Sequence, residues 1–337
     1  VSDSPTAVRP APAPPRPPDD ERVVPLRHPW RWVATALVLV LLAQVVHGLV
    51  TNPFYQWDRF GYWFSRPVIL EGLLITLQVT AYSAVLGLAG GVLLALMRLS
   101  GSPVLQVVSW TFTWVFRSVP LIVVLIFLYN VSALYPELGL GVPFGPQLVT
   151  FGTADLGDEM LIAVVALSLN EAAFASEVVR GGLLSVDAGQ REAAAALGLP
   201  RAYRFWRIVM PQALRSIVPN YVNQLIGIIK GSSLVFYVSL LDLFGTVQTM
   251  GATYPGDVIP LLLVATTWYV VLTSVVSAAQ FHVERAFARG ADRTPPPTPW
   301  QRVRAGAGDL VAKVRAASSP AAPVSPRPGG PAGGSVR

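Results

Sequence analysis

Five residues recur inside one apolar stretch of the chain: Asn220, Asn223, Gln224, Gly227 and Lys230, at i, i+3, i+4, i+7 and i+10. On a helix this spacing puts them on a single stripe. Amides and one ammonium can hydrogen-bond the charged ends of a small solute, so the stripe is a candidate wall of a translocation path. The same groups could instead bind neighbouring helices to each other. A second apolar stretch carries Asn170, Glu171, Phe174, Glu177 and Arg180. Asn170, Phe174 and Glu177 share a face, and Glu177 can pair with Arg180 at i, i+3. That pairing makes Glu177 and Arg180 a candidate structural ion pair. Glu171 is the better candidate to meet a cationic amine. Arg117 lies near mid-depth if 104–116 spans the membrane, or at the cytoplasmic entry of the third span if 104–116 lies along the interface. Pro120 makes a break plausible, and Glu177 is a candidate partner in either case.

Bond-making chemistry has little support. There is no Cys, and the three His, at 28, 47 and 282, are scattered. Thiolate metal sites and zinc clusters are thereby excluded. No G-x-x-x-x-G-K-[ST] phosphate loop occurs. Ionisable groups within apolar segments still mark function by default, because lipid disfavours them by at least a few kcal/mol.

The elements that must position these residues follow from composition. Of 337 residues, 53% are apolar and only 13% charged, against roughly 25% charged in soluble domains. Mean hydropathy is +0.52. A soluble enzyme is excluded, and an all-α, polytopic membrane helical bundle is predicted. Six segments are long enough to cross a bilayer core, which takes about 20 residues: 32–51, 68–97, 104–130, 159–182, 212–240 and 258–282. Trp30, Trp32, Trp57, Trp63 and Trp268 fit interfacial belts near span ends. Small-residue runs at Gly87–Gly91 and Ala172–Ser176 permit close helix packing.

Arginine sets the orientation. It lies before the first span, as Arg98 alone after the second, and in clusters after the fourth and sixth. Of the alternate connections, 51–67 carries Arg59 and Arg66, and 131–158 and 241–257 carry no Lys or Arg. Both termini are therefore predicted to be cytoplasmic, in a multi-pass cell-membrane protein. The net charge of +6 is read the same way, and no nucleic-acid partner is expected. Nine Pro lie in residues 1–29 and nine in 290–337. The tails 1–31 and 290–337 are accordingly expected to be disordered. The N-terminal tail does not read as a signal peptide, because its apolar run starts after Arg31 with no small-residue cleavage site.

The cytoplasmic connection 183–211 is the most informative. Gln190–Leu197 is Ala-rich and should form a short helix, with Asp187 near its start and Gly198 and Pro200 as its stop. Glu192-Ala193-Ala194 is followed after three residues by Gly198, and after nine more by Ile208-Val209-Met210-Pro211. This resembles the E-A-A-x3-G-x9-I-x-L-P signature of ABC importer permeases, with Met210 in place of Leu. Ala173-Phe174-Ala175-Ser176-Glu177-Val178-Val179-Arg180-Gly181-Gly182 is similar to the A-Y-x-x-E-x-x-R-G-G run of the polar amino-acid branch. Gly189-Gln190 and Pro211-Gln212-Ala213-Leu214-Arg215 also fit that branch. Lys230-Gly231-Ser232-Ser233-Leu234 and Arg117-Ser118-Val119-Pro120-Leu121 resemble its K-D-T-S-L and R-G-T-P-L, with two departures each. The matches run in family order over 68–285, leaving the span 32–51 as an addition to a five-helix core.

The resemblance implies a non-catalytic permease subunit for polar amino acids, of the glutamate, glutamine or basic class, working as a homo- or heterodimer. It implies a coupling helix, with Gln190, Glu192, Ala193, Ala194, Gly198, Ile208 and Pro211 as the residues that engage a separate cytoplasmic ATPase. ATP and magnesium are expected on that partner, with no cofactor on this chain. An extracytoplasmic amino-acid-binding protein is expected as a separate polypeptide, since no soluble stretch approaches the roughly 100 residues such a domain needs. Glu171, Phe174, Asn220, Asn223, Gln224 and Lys230 are the candidate substrate path. The rival reading is an ion-coupled secondary transporter, whose internal repeat is not evident between the halves. A membrane enzyme would need a catalytic cluster that the spans do not offer.

Overall fold

The structure is a computed structural model and describes residues 29–142, 145, 147–153, 157–288, 304 and 306. Apart from 29–31, 304 and 306, the two Pro-rich tails lie outside the described residues. The chain divides into two units, 1–56 and 57–337.

The described part of the first unit is α1 (Pro29–Thr51), followed by a 3-10 turn at Pro53–Tyr55 capped by Asn52. Trp32–Thr51 is long and apolar enough to cross a membrane. Its apolar side chains are exposed all round the helix, the distribution expected of a helix whose solvent is lipid.

The second unit begins with a short amphipathic helix, α2 (Trp57–Phe64), and a long one, α3 (Pro67–Arg98). α4 (Pro103–Ser118) and α5 (Leu121–Tyr129) follow, then a single turn, α6 (Val131–Leu134). An antiparallel hairpin, β1 (Glu137–Gly141) with β2 (Gln147–Gly152), pairs Glu137 with Gly152 and Leu140 with Val149. Next comes α7 (Glu159–Leu184), α8 (Ala188–Ala196) and the turn α9 (Arg201–Arg204). A π-helical turn at Phe205–Val209 leads into α10 (Met210–Gly231) and a 3-10 stretch at Ser232–Val238. α11 (Leu243–Thr253) and α12 (Val258–Ala288) complete the unit.

α3, α7 and α12 answer to the spans predicted at 68–97, 159–182 and 258–282. The span predicted at 104–130 is not one straight helix: α4 and α5 meet at 100°. Pro120 is the physical reason. A residue preceding proline is pushed out of the helical region, and Val119 is extended at φ −85°, ψ 130°. The segment predicted at 212–240 continues through its 3-10 stretch and bends by 48° into α11. Counting each bent pair as one span gives six.

α3 and α7 form the most extensive pairing. A Cβ on Gly91 would lie 2.5 Å from the Ala175 Cβ, and one on Gly87 would lie 2.6 Å from the Glu171 Cγ. The small-residue runs thus let the two backbones approach as closely as bare Cα atoms allow. Val79, Leu125, Ala166, Leu167 and Val235 bury the core between α3, α5, α7 and the 3-10 stretch. Trp63, Ile69, Leu243, Val247 and Leu261 bury a second core between α2, α3, α11 and α12. Asp257 ties that second core to α2. It accepts from Arg59 Nε at 2.8 Å and from Trp63 Nε1 at 2.9 Å.

α11 starts on a fully buried carboxylate. Asp242 caps it by accepting the Gly245 N–H at 2.9 Å. Its other oxygen accepts from Thr76 Oγ1 at 3.2 Å, Tyr269 OH at 3.2 Å and Ser232 Oγ at 3.5 Å. One side chain therefore joins α3, α11, α12 and the 3-10 stretch.

A cavity beside Glu171 and an exposed helix at one end

α7 and α10 converge on a cavity of about 440 Å³ lined by Asn170, Glu171, Phe174, Asn223, Gln224 and Lys230, among others. Five of the six residues read as a substrate path, from two separate segments, thus meet in one place. Asn220 does not line it: it is exposed and donates to Ser216 O at 2.8 Å. Its stripe position is right, but it lies ten residues from Lys230, which is about 15 Å along a helix.

Glu171 is 7% exposed, and its Oε1 has no hydrogen-bond partner. The Oε1 of Gln224, on the facing helix, is buried and likewise unpartnered. Buried polar atoms are almost always hydrogen-bonded, and leaving one unmade costs about 1–3 kcal/mol, more for a charged group. Both residues line the same cavity. Lys230 also lines this cavity. Asn170 is spent otherwise, its amide donating to Phe116 O at 3.0 Å and holding α7 to the end of α4. Among the described residues no cluster of three His, Cys, Asp or Glu could hold a metal ion.

Of the three candidate structural charges, two pair and Arg117 stands apart. Glu177 Oε2 accepts from Arg180 Nη2 at 2.6 Å and from Nε at 3.0 Å. Glu177 is therefore committed to its own helix and not to Arg117, because a neighbour at i+3 needs no interhelical reach. Arg117 ends α4 with its guanidinium 5.5 Å from the centre of the Phe174 ring, within cation–π range.

The predicted short helix is α8. Asp187 caps it by accepting the Gln190 N–H at 3.0 Å. Gly198 ends it at φ +71°, a left-handed conformation that glycine adopts without strain. Gly198 N–H donates to Ala195 O at 2.9 Å, and Leu199 N–H to Ala194 O at 3.2 Å, the paired bonds of a Schellman stop. Ala194 is buried, whereas Glu192, Ala193 and Leu197 are exposed. Tyr203 and Trp206 extend that exposed surface beyond the helix. Ile208 lies in the π turn and Pro211 in the first turn of α10. Gln212 Nε2 donates to Gln190 Oε1 at 2.6 Å. Sequence reasoning missed this bond, and missed Asp242: its cap of α11 is a local signal, but its contact with Thr76 joins segments 166 residues apart, which no spacing rule announces.

Comparison with known proteins gives a consistent set of likenesses. The profile of binding-protein-dependent transport system inner membrane components matches residues 87–289. The arginine transport system permease protein ArgU of Corynebacterium glutamicum is 38% identical over 276 residues, covering 80% of this chain and 84% of that one. The glutamate/aspartate import permease protein GltK of Escherichia coli is 35% identical over 235 residues, covering 69% of this chain and all of that one. Among solved structures, an amino acid ABC transporter crystallised with histidines aligns at a TM-score of 0.56 and 27% identity, covering 65% of this chain and 94% of that one. An inward-facing methionine ABC transporter shares the fold at a TM-score of 0.51 and 22% identity, covering 66% of this chain and 94% of that one.

Proposed function

The chain belongs to the family of binding-protein-dependent transport system inner membrane components, and from that premise we infer how its geometry serves import. It is the multi-pass permease subunit of an ABC importer for polar amino acids. Its substrate is a basic amino acid of the arginine type. Support comes from the 38% identity with an arginine permease and from the buried acid in the cavity. The observation that carries the site assignment is the pair of unpartnered acceptors, Glu171 Oε1 and Gln224 Oε1. A guanidinium or ammonium offers several donors to them, and Lys230 answers the carboxylate across the same cavity.

Two permease chains enclose the path, and their cavity faces, including exposed Asn223 and Lys230, look toward one another. α8 is the coupling helix. Exposed Glu192, Ala193 and Leu197 seat in a groove of a cytoplasmic ATPase, with Glu192 available for a charge-assisted contact. Both termini are cytoplasmic, which places α8 on the ATPase side. An extracytoplasmic binding protein delivers the substrate, and ATP with magnesium acts on the ATPase alone. This chain supplies two states of access and a lever.

Purification in mild detergent from native membranes, with mass spectrometry of what accompanies the chain, tests the assembly. A stoichiometric partner carrying a phosphate-binding loop is expected. A preparation of the chain alone that still binds arginine and drives ion-dependent uptake would overturn the reading in favour of a secondary transporter.

A further inference from the structure

We propose that a second chamber, on the far side of Phe174 from the first cavity, receives the carboxylate of the transported amino acid through Arg117. The proposal rests on the transport reading above and adds to it a second station and a partition.

The second chamber has a volume of about 430 Å³ and is bounded by Arg98 at the end of α3, by Trp110, Trp114 and Arg117 of α4, and by Glu177. Phe174 lines both chambers. Asn170, Phe174 and Glu177 share one face of α7 at i, i+4 and i+7, so the two chambers follow one another along that face with the Phe174 ring between them. Each is of the size that small-molecule sites occupy.

The charges of the two chambers differ. The first holds an acid and a base, Glu171 and Lys230. In the second, Glu177 is neutralised by Arg180. Arg98 and Arg117 remain, and among the described residues neither has an ion-pair partner. Two guanidinium groups thus line one chamber and favour an anion there. A guanidinium also presents a planar fork that matches a carboxylate with two parallel hydrogen bonds. Trp110 and Trp114 lie parallel, 6.0 Å apart. Their faces suit the cationic side chain once Glu171 has released it. Arg117 sits over the partition itself, 5.5 Å from the ring centre of Phe174. It is therefore the first group that a carboxylate meets once past the ring, while Glu171 still holds the cationic end. Such a hand-over selects amino acids over the corresponding free amines.

The experiment uses the complete transporter, permease with its ATPase, in lipid nanodiscs without the binding protein. The probes are L-arginine and agmatine, which keeps the guanidinium and lacks the carboxylate. Each is titrated against labelled L-arginine, and L-glutamate and L-glutamine are titrated alongside. In the native transporter agmatine should bind more weakly by on the order of tenfold, as expected for loss of a charge-assisted hydrogen bond. Arg117→Gln should shrink that gap to about twofold, and Arg117→Lys should retain most of it; a merely structural role for Arg117 would move both affinities together. An unchanged gap in a monodisperse Arg117→Gln protein would leave the carboxylate on Lys230 alone and overturn the second chamber, with the transport reading intact. An unchanged gap with loss of a co-purifying anionic phospholipid would overturn it too, making the chamber a lipid-headgroup seat. If none of the three amino acids binds the native transporter, the transport reading falls, and this proposal with it.

Discussion

The side-chain amide of Gln212 donates to Gln190 Oε1 at 2.6 Å and, from the same nitrogen, to Ile208 O at 2.9 Å. The first turn of α10 thereby holds the first turn of α8 directly, bypassing α9 and the π turn. A displacement of α8 then passes into the helix that carries Asn223, Gln224 and Lys230 to the cavity.

Loss of that link should loosen coupling without preventing assembly. Gln212→Ala is expected to keep membrane insertion and ATP hydrolysis but to lower amino acid imported per ATP by roughly fivefold, the equivalent of about 1 kcal/mol of coupling. The ratio is read in proteoliposomes with simultaneous uptake and phosphate-release assays.

The stop of α8 depends on a conformation that side chains resist. Gly198, at φ +71°, should tolerate Ala at a loss of about 1–2 kcal/mol, the left-handed penalty of an L-residue. Val at the same position is worse. Combined as Glu192→Ala with Gly198→Val, the changes should leave the protein in the membrane while the ATPase dissociates during purification. Normal ATPase retention in that double variant would remove α8 from the coupling role.

Close approach of α3 and α7 makes Gly91 intolerant of even one methyl. Its Cβ would meet the Ala175 Cβ at 2.5 Å and the Ser176 N at 2.9 Å, whereas a Cβ on Gly101 meets nothing within 4 Å. Gly91→Ala should therefore destabilise by about 1–3 kcal/mol, seen as a lower melting temperature in detergent. Gly101→Ala should match the native protein.

Much of this architecture was legible in the residues, and the misses share a cause. The span positions, the small-residue runs of α3 and α7, and α8 with its cap and stop are local or periodic signals; that the two runs meet each other is not. The break at Pro120 was visible as a possibility, but its 100° angle was not, because the packing of fully buried Leu125 and Val124 sets where α5 goes. α11 escaped because eleven residues interrupted by two glycines make neither a span nor a strong helix; burial against α3 and α12 makes it one. The cavity was half legible. Stripe spacing picked out Asn223, Gln224 and Lys230, yet it included Asn220, since periodicity fixes a face and not a depth. The partner of Arg117 stayed open in the sequence, because sequence offers charges without distances; the structure sets its guanidinium beside the Phe174 ring.

Asp242 is the strongest test of what the sequence left hidden. Asp242→Ala orphans the donors of Thr76, Tyr269 and Gly245 in the core, and each buried orphan costs about 1–3 kcal/mol. Thermal unfolding should show a loss of at least about 2 kcal/mol. Asp242→Asn, which keeps an acceptor for Gly245, should lose less.

Glu171→Gln keeps the shape of the cavity wall and replaces its carboxyl group with an amide. Arginine uptake should fall by about tenfold or more, as expected when a charge-assisted contact is lost. Asn220→Ala, outside the cavity, should change uptake by less than about twofold.

We infer that this chain is the lever-driven half of an ATP-powered path. The most direct measurement is uptake of labelled arginine by vesicles holding the chain with its co-purified ATPase and binding protein. Uptake should require ATP on the α8 side and binding protein on the other, and should persist when sodium and proton gradients are collapsed. Uptake by the chain alone that follows an ion gradient and ignores ATP would contradict the account.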